Sequence, residues 1–136
     1  MPGPADDLPK LCGLPILIAE SNPLIALDLA ETLRSWGAQP LLYSELTPAE
    51  QAEVPGRVGA ALVDLARFHQ QAAGLIEALR RRGVPTVGTT AWQLDIIGSQ
   101  FPEMTVFEKP VNYAALAQWF KTLDAASWPG HRCCNG

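Results

Sequence analysis

Charge is scarce in this chain, and positive charge scarcer still. Of 136 residues 18% are charged, with 10 Lys and Arg against 14 Asp and Glu and a net charge of −4. Nucleic-acid sites need clustered Lys and Arg. The one basic run, Arg80-Arg81-Arg82, falls where a helix is due to end, and cations there suit the helix dipole. Nucleic acid is therefore not expected as a direct partner. Long apolar runs are also missing. None reaches the ~18 residues of a membrane span, and the opening Met-Pro-Gly-Pro-Ala-Asp-Asp lacks the basic start and apolar centre of a signal peptide. Cysteine is limited to Cys12, Cys133 and Cys134. That odd count without metal-ligand spacing argues against a zinc site and a disulfide framework, and for a reducing compartment. The expectation is a cytoplasmic protein. What the chain does have is apolar residues, 48% of the total, enough for one domain with a substantial core.

The core is organised around Val58-Gly-Ala-Ala-Leu-Val-Asp64-Leu65. A run this short and rich in Val and Leu reads as a strand buried on both faces of a parallel sheet. An unpaired charge inside such a strand is costly. At the carboxyl end an Asp makes sense, because the working crevice of an open α/β sheet lies there. Residues 1–13, rich in Pro and Gly, are expected to be a disordered leader. Leu14–Ala19 reads as the first strand. Asn22 and Pro23 then supply an N-cap and a first helical residue for a helix over 23–36, with Ile25, Leu29, Leu33 and Trp36 on one side and Gly37 as its stop. A second strand spans 39–43. Thr47-Pro48-Ala49-Glu50 is a capping box that starts a short helix. Further helices are expected over 70–82, weakly over 93–99, and over 113–124, where Asn112 is the cap and Leu116, Phe120 and Leu123 face inward. Strands are expected over 86–89, with Thr90 at the end, and over 105–108. Residues 125–136 form a tail, leaving 14–124 as the domain. The alternation of strand and helix implies an α/β fold, a doubly wound five-stranded parallel sheet with right-handed crossovers.

Four strand ends carry polar residues: Glu20 and Ser21, Asp64, Thr90, and Lys109. In a sheet of order 2-1-3-4-5, the flavodoxin-like arrangement, the strands bearing them are neighbours and their ends face one crevice. At this point the chain resembles the receiver domains of bacterial two-component response regulators. The residues that carry the resemblance are Leu17-Ile-Ala-Glu20-Ser21-Asn22-Pro23, Ala61-Leu-Val-Asp64-Leu65, Gly83-Val-Pro-Thr-Val-Gly-Thr-Thr90-Ala91 and Val106-Phe-Glu-Lys109-Pro110. The resemblance implies that Asp64 accepts a phosphoryl group from a histidine kinase or phosphotransfer protein. It implies that Lys109 pairs with the acyl phosphate, that Thr90 donates its hydroxyl to it, and that Ala91 leaves room for it. It further implies a Mg²⁺ site made by Glu20, Asp64 and the backbone carbonyl of Ala66, with a cis Lys109-Pro110 bond. Output would pass by protein–protein contact or homodimerisation through the face of strands four and five and the last helix.

The chain departs from that pattern twice. The second acid after strand one is Ser21, which reaches a metal only through water; Mg²⁺ keeps several waters and accepts one or two protein carboxylates, so a weakened site is expected. The switch aromatic three positions before the Lys is Val106, which has no ring to swing, and alternation turns the adjacent Phe107 to the other face. Both departures favour an alternative reading, a pseudo-receiver that binds partners without phosphorylation. A third reading, a flavin-carrying relative of the same sheet topology, is disfavoured by the lack of a run of Ser, Thr and Gly donors after strand one. Trp92 is expected to be a half-exposed packing residue, His69 a surface loop residue, and Asp28 a solvated one. Tyr113, Trp119 and Phe120 crowd the last helix, where surplus aromatics suit a contact surface.

Overall fold

A computed structural model describes residues 8–43, 58–65, 69–91 and 104–123. Over these the chain runs β1 (Pro15–Ala19), α1 (Pro23–Ser35), β2 (Gln39–Tyr43), β3 (Ala60–Asp64), α2 (His69–Arg81), β4 (Thr86–Thr90), β5 (Thr105–Glu108) and α3 (Tyr113–Lys121). The helices expected over 47–54 and 93–99 and the tail fall outside the described residues, as do residues 1–7.

All strands pair in parallel, in the order β2-β1-β3-β4-β5. β1 and β3 are buried throughout, whereas the edge strands β2 and β5 are only partly covered. That difference follows from composition. Ile, Leu, Val and Ala fill β1 and β3, where helices cover both faces, while β2 carries Gln39 and β5 carries Thr105 and Glu108 into solvent. The core splits across the sheet. On one side Ile16, Ile18 and Leu62 meet Leu29 and Leu33 of α1 and Phe120 of α3. On the other, Leu17, Val63 and Leu65 meet Leu75 and Leu79 of α2.

The expected caps are in place. Asn22 accepts hydrogen bonds from the N–H groups of Leu24 and Ile25, and Asn112 accepts one from Ala115. Gly37, at φ 91°, takes the left-handed conformation that ends α1 at little steric cost. Two expectations are corrected at the amino end. Residues 8–13 are not a loose leader: Leu11 is buried, its N–H donates to the carbonyl of Trp36, and the N–H of Gly13 donates to Gly37. Buried Leu11 and Leu14 let this segment close the bottom of the α1 layer. Cys12, held in the resulting turn, is disulfide-bonded, contrary to the reading of the odd cysteine count; Cys133 and Cys134 lie outside the described residues.

Candidate functional site

The carboxyl edge of the sheet gathers the ionisable residues. Glu20 follows β1, Asp64 ends β3, Thr90 ends β4 and Lys109 follows β5. Glu20, Asp64 and Thr90 are all buried. Backbone bonds hold this edge in register beyond the strands themselves. The N–H of Glu20 donates to Tyr43, that of Leu65 to Thr89 and that of Lys109 to Thr90. The Lys109-Pro110 bond is cis.

Lys109 is the centre of the arrangement. Its Nζ lies 2.6 Å from Glu20 Oε1 and 3.0 Å from Asp64 Oδ2, with 11% of the side chain exposed. Glu20 Oε2 accepts from the N–H of Asn22 at 3.0 Å. Glu20 Oε1 is buried and, although the ammonium lies against it, accepts no hydrogen bond of good angle. Burial pushes the Glu20 carboxyl above its usual value of 4.5. The charge of Asp64 adds to that push, and Lys109 and the Asn22 N–H pull against it. Two carboxylates thus share one cation in a place with little water.

Glu20 and Asp64 are the described carboxylates at this edge that could hold a cation. The two acid oxygens meet at the Lys109 ammonium. Among the described residues no group of three His, Cys, Asp or Glu side chains comes together, so the carboxylates available are Glu20 and Asp64, with Ser21 half-buried beside them. The Ala66 carbonyl and Trp92 lie outside the described residues. Ala91 is exposed just past Thr90. Val106 joins the α2 side of the core and Phe107 the α1 side, as alternation requires. His69 opens α2 rather than lying in a loop.

Asp28 is not simply solvated: the Tyr113 hydroxyl donates to its Oδ2, tying the start of α3 to the middle of α1. Burial and the Asp28 carboxylate push the Tyr113 hydroxyl up to about 12. Tyr113 and Phe120 each meet Trp36 edge-on, at 6.5 and 6.2 Å between ring centres, and Trp119 meets Phe120 at 5.0 Å. The aromatics of α3 are therefore engaged with the α1 layer. Sequence reasoning missed this tie because the partners stand 85 positions apart. The signal available was an acid in mid-helix with no neighbouring base.

No protein-family model and no curated protein matches the chain. Solved structures do. SdrG from Pseudomonas melonis Fr1, in its BeF3-activated conformation, is 29% identical, with a TM-score of 0.64 over 79% of this chain and 92% of that one. The receiver domain of HemR from Leptospira biflexa is 16% identical, with a TM-score of 0.63 over 82% and 96% of the two chains. The receiver domain of Ssk1 from Saccharomyces cerevisiae, solved with the histidine phosphotransfer protein Ypd1, is 18% identical, with a TM-score of 0.62 over 82% and 88%. The chain has the fold of the receiver domains of response regulators, signalling modules of two-component systems.

Proposed function

We propose that the protein accepts a phosphoryl group on Asp64 from a phosphohistidine partner and signals through protein–protein contacts. The observation that carries this reading is the placement of Lys109 3.0 Å from Asp64 and 2.6 Å from Glu20. A fixed cation beside a buried carboxylate at the strand ends is what phosphoryl transfer requires of a protein, since that chemistry is mostly positioning and charge neutralisation. An Asp64 carboxylate oxygen forms the new P–O bond while the P–N bond of the phosphohistidine breaks. The electron pair returns to the imidazole nitrogen, and an acyl phosphate results. Lys109 stays against the transferred group as a point charge, and the Thr90 hydroxyl donates to one of its oxygens. Glu20 and Asp64 would hold a Mg²⁺ ion, which would supply further charge neutralisation.

The partner's approach has a physical basis beside the crevice. Leu24 and Leu27 stand exposed on α1, 77% and 49%. Next to them a groove of about 410 Å³ is lined by Leu24, Ile25, Leu29, Pro110 and Val111, with Lys109, Asp28 and Tyr113 at its edges. Exposed leucines around an apolar groove suit a helix presenting its own apolar side chains. A phosphohistidine carried on such a helix would come to the crevice on its Lys109 side.

Incubation with acetyl phosphate and Mg²⁺, followed by intact-mass measurement, tests the proposal. A gain of ~80 Da, the mass of one phosphoryl group, is expected in the native protein and not in Asp64→Asn. No gain with any small donor or metal would sink it. The second reading, a phosphorylation-independent binding module, is favoured by one observation: Ser21 leaves the site with two carboxylates, which Lys109 already serves. That reading predicts no mass gain and equal partner binding by the native protein and Asp64→Asn.

A further inference from the structure

Gly88 lies in the middle of β4, paired with Val63 of β3 and Val106 of β5. A Cβ added there would stand 2.4 Å from Leu65 Cδ1, 2.8 Å from its Cγ and 3.0 Å from Met104 Cε. The missing side chain is therefore a notch, and Leu65 fills it. Leu65 is the residue after Asp64. It is fully buried, and its N–H donates to the Thr89 carbonyl at 2.8 Å. It is thus gripped twice by β4, through its backbone at Thr89 and through its side chain at Gly88. On the same side of the sheet it shares a core with Met104 and Val106. Thr90, two residues beyond Gly88, is on that face of the strand by alternation.

We propose that Leu65, keyed into the Gly88 notch, is the positioning residue that couples Asp64 to the β4–β5 face. The inference rests on the reading of Asp64 as the reactive residue. Val106 has no ring to move, so a change at Asp64 needs another route to β5. Leu65 supplies one through the core it shares with Met104 and Val106. A shift of the Asp64 backbone moves Leu65, and Leu65 cannot move in its notch without displacing Met104, Val106 or β4 itself, because close-packed interiors transmit displacement. The small residue in β4 is what lets the side chain next to the acid reach across the strand.

The test uses methyl NMR of the full chain labelled at Val and Met, with two perturbations of Asp64: acetyl phosphate with Mg²⁺, and Asp64→Asn. Each is applied to the native protein, to Leu65→Ala, and to Leu65→Ala combined with Gly88→Ala. In the double variant the new Cβ occupies space that the shortened Leu65 vacates, so the fold is kept. Asp64→Asn is expected to move the Val106 and Met104 methyl resonances in the native background, and by less than about half as much in both Leu65→Ala backgrounds, the non-additivity that marks contacting residues. Equal displacements in all three backgrounds would overturn the coupling. So would a native background in which Val106 and Met104 do not respond. If the native protein gains no phosphoryl mass, the phosphoacceptor reading fails, while the Asp64→Asn arm still decides the coupling.

Discussion

Glu20 is the residue whose chemistry is least settled by its neighbours. It is 2% exposed, and one of its oxygens has only the Lys109 ammonium against it, an ammonium that Asp64 also uses. Burial raises its proton affinity in the folded state. The folded pKa therefore lies above the unfolded one, and the stability that goes with the protonated form is present below about 4.5 and lost as pH rises through the folded value. At neutral pH the protein carries a surplus buried acid. Glu20→Gln keeps the shape, lets an amide oxygen accept from Asn22, and leaves Lys109 with Asp64 as a simple pair. The expected result is a protein more stable by about 1 kcal/mol at pH 7, with a flatter stability profile between pH 4 and 7. Thermal melts across that range measure it. A loss of about 3 kcal/mol instead would mean that the Glu20–Lys109 pair outweighs the repulsion from Asp64.

Between α1 and α3 the decisive contact is Tyr113 with Asp28, reinforced by the ring of Trp36. It lies four residues past Lys109 and borders the groove, so it fixes the angle at which α3 leaves the crevice. The Tyr113 hydroxyl titrates near 12 instead of 10, first because it is buried and then because Asp28 accepts its proton. A raised tyrosine pKa means that the contribution is complete below pH 10 and is lost between pH 10 and 12. Discounted for the ring's partial exposure, the loss is about 1 kcal/mol. Tyr113→Phe is expected to lower stability at pH 7 by about 1 kcal/mol and to remove this step. Urea midpoints of the two proteins should therefore converge as pH rises from 10 to 12. A constant gap would show that the hydrogen bond contributes nothing.

At the scale of the molecule, the parts legible in the sequence were those set by local pattern. Buried runs such as Ala60–Asp64, caps such as Asn22 and Asn112, and polar residues at strand ends follow from neighbours in the chain, and the alternation of strand and helix implies a parallel sheet. The parts that were not legible depend on contacts between distant segments. Leu11 closes the foot of α1, although a Pro- and Gly-rich leader gives no local reason to fold. The Tyr113–Asp28 tie spans the chain. The Leu65–Gly88 interlock is invisible because a glycine in a strand looks like a weakness until the side chain that fills it is located. Even in the crevice, sequence named Glu20, Asp64 and Lys109, yet only the geometry shows one ammonium serving both acids.

That shared ammonium sets the response of the whole fold to metal. A cation that binds the native state and not the unfolded chain raises stability by RT ln(1 + [M]/Kd). With Glu20 and Asp64 as the only carboxylates in the crevice among the described residues, and Lys109 against both, Mg²⁺ must compete with a resident positive charge. The native protein should show a small rise in melting temperature in millimolar Mg²⁺. Ser21→Asp adds a third acid beside Glu20, at a half-buried position. An added carboxylate ligand is expected to tighten Mg²⁺ binding about tenfold, worth up to about 1.4 kcal/mol at saturating metal. Without metal the same substitution adds like charge to an acid pair that one Lys already serves, so it should lower the melting temperature in EDTA. The two effects have opposite signs, so differential scanning in EDTA and in 10 mM Mg²⁺ (about the upper end of the range in which such weak sites respond) separates them. A variant destabilised in EDTA and restored by Mg²⁺ identifies the crevice as a metal site one ligand short. A variant destabilised equally in both would show that Lys109 alone holds the acids and that the strand ends no longer assemble around a metal.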